Sequence, residues 1–138
     1  SSGDYKSGFS QESLFQFQSD AIQKAAREGS CVFVGRCADY VLRERDNVLH
    51  IFLCADMDFR VQRALKYGDI DANKPEESIR KIDKRRANYY NYHSCEVWGR
   101  AENYHLTVNT AACGIENSVQ IIKNFIDSCG ELDHSKKA

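Results

Sequence analysis

The chain has 138 residues, 42% of them hydrophobic and 28% charged, enough for one domain with a real core and too little for two. A formal net charge of -1 provides no global field to draw nucleic acid or an anionic membrane, so neither is an expected partner. No apolar run approaches the length of a membrane span, and no signal peptide is expected. Six cysteines, at 31, 37, 54, 95, 113 and 129, include no C-x-x-C pair, and Cys31 and Cys54 sit inside apolar runs. That usage fits reduced thiols and a cytoplasmic protein better than a secreted disulfide framework or a zinc site.

Residues 1–9 are polar and glycine-containing and read as a flexible lead-in. From Ser10 the spacing of Leu14, Phe17, Ala21 and Ala25, with Ile22 alongside, predicts a helix that Gly29 stops. Cys31-Val-Phe-Val34 is a short apolar run of the kind found in covered strands, followed by Gly35-Arg36 and a short helix over 38–44. Val48 to Cys54 predicts a second strand. Asp56 then caps a helix with Phe59, Ala64 and Leu65, running to about Tyr67. Residues 68–74 read as a mobile polar loop, and Pro75-Glu-Glu opens a helix expected to reach about Tyr92. His105 to Val108 predicts a third strand, residues 109–114 a turn, and Glu116 to Cys129 a closing helix with Val119, Ile122 and Phe125 inward. Residues 130–138 read as a frayed tail. Alternating strands and helices predict an α/β domain over 10–129, a parallel sheet with helices on both faces. Ligands of such sheets gather at the strands' carboxyl ends, where Gly35-Arg36, Ala55-Asp56 and Asn109-Thr110 fall.

Three groups of cations could carry chemistry. Arg36, at a strand exit, suits a phosphate or carboxylate, or else pairs structurally with Asp39 or a neighbouring helix end. Arg60 and Arg63 are neighbours on one helix face and could share an anion or simply be solvated. Ile79 to His93 is the densest run, with Asp83, Arg86 and Tyr90 on one stripe and Arg85, Tyr89 and Tyr92 on another. It could close over polyphosphate, bind single-stranded nucleic acid or RNA, or be a solvated helix with its rings packed on the body. The four histidines have no metal-binding spacing, and neither G-x-x-x-x-G-K-[ST] nor G-x-G-x-x-G occurs.

Four stretches together resemble the cytidylate kinase-like family, a branch of the P-loop nucleoside monophosphate kinases. They are VGRCADYVL, LHIFLCADMDFRVQRAL, IRKIDKRRANYYNYH and VWGRAENYHLTVNTAACGIENSV, and the resemblance runs from about residue 14 to 127. Its marks are the G-R after a strand, the D-K-x-R-x-x-Y-Y helix (Asp83, Lys84, Arg86, Tyr89, Tyr90) and the later Trp98-Gly99. Cys37 stands where members usually carry aspartate. The resemblance implies phosphoryl transfer from ATP, with Mg2+, to a nucleoside monophosphate, in a P-loop NTPase fold with a lid at about 68–93. It implies that Arg36, beside Asp39, contacts the acceptor nucleotide. It also implies that Arg60, Arg63 and Arg86 surround the transferred phosphate, with Asp83 orienting Arg86 or a neighbouring cation. The family's N-terminal strand and phosphate loop are absent from this sequence, so the chain alone is expected not to catalyse. The alternative is a noncatalytic nucleotide- or anion-binding module.

Overall fold

The computed structural model describes residues 10–68 and 70–130. The lead-in expected at residues 1–9 and the tail beyond Gly130 lie outside the described residues. The chain falls into two compact units that meet in sequence at Val48 and Leu49.

In the first unit, α1 spans Gln11–Glu28. The Ser10 hydroxyl caps it by accepting from the Ser13 N–H at 3.1 Å, and Gly29 ends it as the sequence foretold. Arg45 donates to the Ala26 carbonyl at 3.2 Å, satisfying an acceptor that the last helical turn leaves open. The apolar stripe is not the covered one, however. Leu14 and Phe17 are 49% and 67% exposed, and the buried residue of α1 is Ser19. Periodicity tells which residues share a face; it does not tell whether anything covers that face.

The strand expected at residues 31–34 is not formed either: the segment forms no strand among the described residues, and Val32 and Val34 are each 90% exposed. A strand exists only where a neighbour accepts and donates along its ladder, and an apolar run cannot supply that partner by itself. The chain then turns through three consecutive left-handed residues, Gly35 (φ 71), Arg36 (φ 59) and Cys37 (φ 57), before the short α2, Ala38–Val41.

The second unit holds a two-stranded parallel sheet. β1, Ile51–Cys54, pairs with β2, Leu106–Asn109, in the register Ile51↔Leu106 to Cys54↔Asn109. Two helices separate the strands in sequence, as a parallel crossover demands: α3, Met57–Tyr67, and α4, Pro75–Ser94. Among the described residues no third strand joins this pair. Below the ladder, His105 N–H donates to the His50 carbonyl at 2.7 Å, and His50 N–H donates to His105 Nδ1 at 2.9 Å. The two rings stack at 5.1 Å, with His50 buried. A ring nitrogen that accepts carries no proton, so this rung requires neutral His105.

The Trp98-Gly99 pair explains itself structurally. The Phe52 ring of β1 meets Trp98 edge-on at 5.3 Å and Tyr104 at 4.9 Å. Gly99 holds φ +82, and a Cβ there would lie 3.3 Å from Phe52 Cζ. Its N–H donates to the Tyr104 hydroxyl, and the Trp98 N–H to Asn91 Oδ1 of α4. The loop thus seals one face of β1 to the end of α4.

Beyond a 3₁₀ turn at Ala101–Asn103 and β2, the expected turn is a short helix, α5, Thr110–Cys113, capped by the Asn109 side chain. The closing helix α6 spans Ile115–Cys129. Its buried residue is Ser118, whereas Val119, expected inward, is 52% exposed. The apolar arc of α6 is wider than the surface that covers it.

Candidate anion-binding site

Arg60, Arg63 and Tyr67 stand three and four residues apart on α3, so all face one side of it. On α4, Ile79, Ile82, Asp83 and Arg86 share a face by the same spacing. The two faces border an open depression of about 420 Å3, lined by Arg60, Arg63, Arg86, Tyr67, Phe59 and Ile82 among others. The structure therefore brings together the three arginines of Arg60, Arg63 and Arg86 that the sequence had placed on two separate helices.

Asp83 closes on Arg60. Its two oxygens meet Nη1 at 2.7 Å and Nη2 at 2.5 Å, a bidentate fork between half-buried side chains. These hydrogen bonds raise the Arg60 pKa above its ordinary value, against the opposing effect of burial and with the help of the carboxylate's charge. Arg63 stands over the Tyr67 ring at 5.4 Å, and Lys66 approaches the same ring at 5.0 Å. Neither Arg63 nor Arg86 forms an ion pair among the described residues. The earlier turns of α4 neutralise themselves instead: Glu76 holds Arg80 at 2.7 Å and Glu77 holds Lys81 at 3.5 Å.

The polar residues at the strand exits are largely consumed by structure. Asn109 donates to Asp56 Oδ1 at 3.2 Å and accepts from the N–H groups of Ala111 and Ala112. Thr110 donates to the Cys54 carbonyl at 3.3 Å. Asp56 occupies the N-cap position of α3 without a side-chain capping bond, because its carboxylate is turned toward Asn109. The helix 79–93 divides its tyrosines: Tyr90 is buried, with its hydroxyl 3.5 Å from Glu96, whereas Tyr92 is 63% exposed.

Arg36 belongs to the first unit. It is exposed, and among the described residues it makes no hydrogen bond or ion pair, so the structural pairing with Asp39 is not formed. Asp39 accepts instead from the Tyr40 N–H at 2.9 Å. Left-handed φ costs an ordinary residue about 1–2 kcal/mol, and Arg36 and Cys37 both bear it. Cys37 is buried, and burial first, then the Asp39 carboxylate, pushes its thiol up to about 11 from 9.0. A raised thiol pKa stabilises the fold fully below pH 9 and progressively less as pH rises toward 11. Alkaline unfolding followed by circular dichroism should show that loss, and Cys37 should alkylate more slowly than the exposed Cys31, Cys54 and Cys95. Equal rates for all four would contradict the burial.

Sequence reasoning missed the left-handed turn and the role of Tyr67. The signal for Tyr67 was present, since it lies four residues after Arg63 and seven after Arg60.

A model of the cytidylate kinase-like family matches residues 2–112, and the chain belongs to that family. The crystal structure of an uncharacterized protein from Eubacterium ventriosum ATCC 27560 is similar at a TM-score of 0.78 and 26% identity. The match covers 83% of this chain and 65% of that one, so the chain spans a little under two thirds of that relative's length. No curated protein matches. No helix among the described residues is long and apolar enough to cross a membrane.

Proposed function

We propose that the chain is the phosphate-gripping part of a nucleoside monophosphate kinase-like phosphotransferase of the P-loop type. The α3–α4 depression receives a phosphate group, and Arg36 contacts the acceptor nucleotide. The observation that carries this reading is the meeting of Arg60, Arg63 and Arg86, from two helices, on one open depression. Phosphoryl transfer asks little of a protein beyond positioning and charge, and arginines aimed at the moving phosphoryl supply both. Asp83 is committed to Arg60 and serves as no base. ATP is the proposed donor. Magnesium is proposed to arrive with ATP, held chiefly through the nucleotide's phosphates rather than by a cage of protein ligands; among the described residues there is no group of three or more His, Cys, Asp or Glu that could hold a metal ion.

The second reading is a noncatalytic nucleotide- or anion-binding module. Calorimetry with CMP and with ATP–magnesium separates the two, run on this chain and on the product of its complete gene. ATP binding and turnover by the gene product support the kinase. Monophosphate binding by both without any ATP binding supports the module.

Arg36→Gly gives a sharper test of the acceptor contact. Glycine relieves the left-handed backbone, so stability should rise by about 1 kcal/mol. Loss of one charge-assisted bond to phosphate should at the same time weaken CMP by roughly tenfold. Higher stability with unchanged affinity would show that Arg36 makes no contact with the nucleotide.

A further inference from the structure

We infer that Asp83 sets the charge of the α3–α4 depression, so that the site takes one doubly charged phosphate group on Arg63 and Arg86 while Arg60 is held back. This rests on the anion-binding reading above. Three arginines, Arg60, Arg63 and Arg86, line the depression, and Asp83 is bound to the first of them. Asp83 could have turned to Arg86, three residues on along its own helix. It crosses to α3 instead and occupies both terminal nitrogens of Arg60.

A guanidinium whose fork is filled by a carboxylate has little left to offer an incoming anion. Pulling it away would leave Asp83 half-buried and unpaired beside a second negative charge, which is strongly unfavourable. Arg60 therefore stays with Asp83, and both are positioning residues that lock α3 to α4. Among the lining residues the charge left over is two positive, on Arg63 and Arg86, with Lys66 standing by the Tyr67 ring beyond the lining. That matches a phosphate monoester, which carries close to two negative charges at neutral pH. A longer polyphosphate would bring more negative charge than the depression can neutralise.

The test measures binding of inorganic phosphate and of pyrophosphate at low salt, with four forms of the chain: wild type, Asp83→Asn, Arg60→Gln and the double variant. Asp83→Asn frees a cation and removes an anion, so phosphate should bind about fivefold tighter and pyrophosphate should gain more. Arg60→Gln uncovers Asp83 and should weaken phosphate by a similar factor. The double variant removes both charges together and should return to within about twofold of wild type. It also leaves no charge unpaired, so it remains readable if either single variant folds poorly, as judged by circular dichroism.

A double variant as weak as Arg60→Gln would overturn the inference, because Arg60 would then touch the anion itself. Weaker phosphate binding by Asp83→Asn would overturn it as well, by making Asp83 an orienting group for the anion's own ligands. Arg63→Ala and Arg86→Ala serve as the control on the underlying reading. If neither changes phosphate affinity, or if wild type binds no phosphate, the depression is not an anion site and the function proposed above fails with it.

Discussion

Gly99→Ala should lower the stability of the second unit by about 2 kcal/mol, a drop visible as an earlier urea midpoint with an unchanged slope. Two costs add. An alanine at φ +82 is held in the left-handed region, which costs about 1 kcal/mol or more. Its Cβ would also sit 3.3 Å from Phe52 Cζ, closer than ordinary contact, and that ring is fixed by Trp98 and Tyr104. Phe52 cannot retreat without loosening both aromatic partners, so the strain stays where it arises. Gly99→Val should be worse, since branching at Cβ narrows the backbone further. If Gly99→Ala is neutral, the loop does not seal β1 as described.

The second large effect concerns binding. Replacing Arg63 and Arg86 together by alanine should weaken CMP by at least roughly a hundredfold, because each charge-assisted bond to a phosphate contributes about 1.5–3 kcal/mol. Neither arginine forms an ion pair among the described residues, so their removal strands no partner and stability should change little. The Arg63 contact with the Tyr67 ring is worth about 0.5–1 kcal/mol at such an exposed site. Calorimetry and a thermal melt on the same sample read both quantities. A large stability loss with unchanged affinity would make the two arginines structural.

The helices were legible because their ends carry chemistry that sequence displays: Ser10 and Gly29 around α1, and Pro75 opening α4. Both strands of the sheet were legible as apolar runs, and their parallel sense followed from the helices between them. Cys31–Val34 looked the same in sequence, yet it is no strand, since pairing is a property of neighbours that a single run does not contain. Val119, expected inward, failed for a related reason, because a periodic stripe implies a cover only if another surface reaches it. At the site, spacing put Arg60 beside Arg63 and Asp83 beside Arg86. The choice of Asp83 for Arg60 is a contact between elements 23 residues apart, and no local pattern encodes it. The left-handed turn at Arg36 was invisible because arginine and cysteine are poor markers of positive φ.

The edge of β1 that no described strand pairs has a practical outcome at the bench. Backbone donors and acceptors along Ile51–Cys54 that no third described strand takes up, beside an exposed Leu53, form a template for edge-to-edge pairing. Val32 and Val34 offer a second exposed apolar run of low charge. Purified by itself at high concentration, this chain should therefore cloud and precipitate through intermolecular β-structure, and a lysine placed at Val32 or Leu53 should keep it in solution.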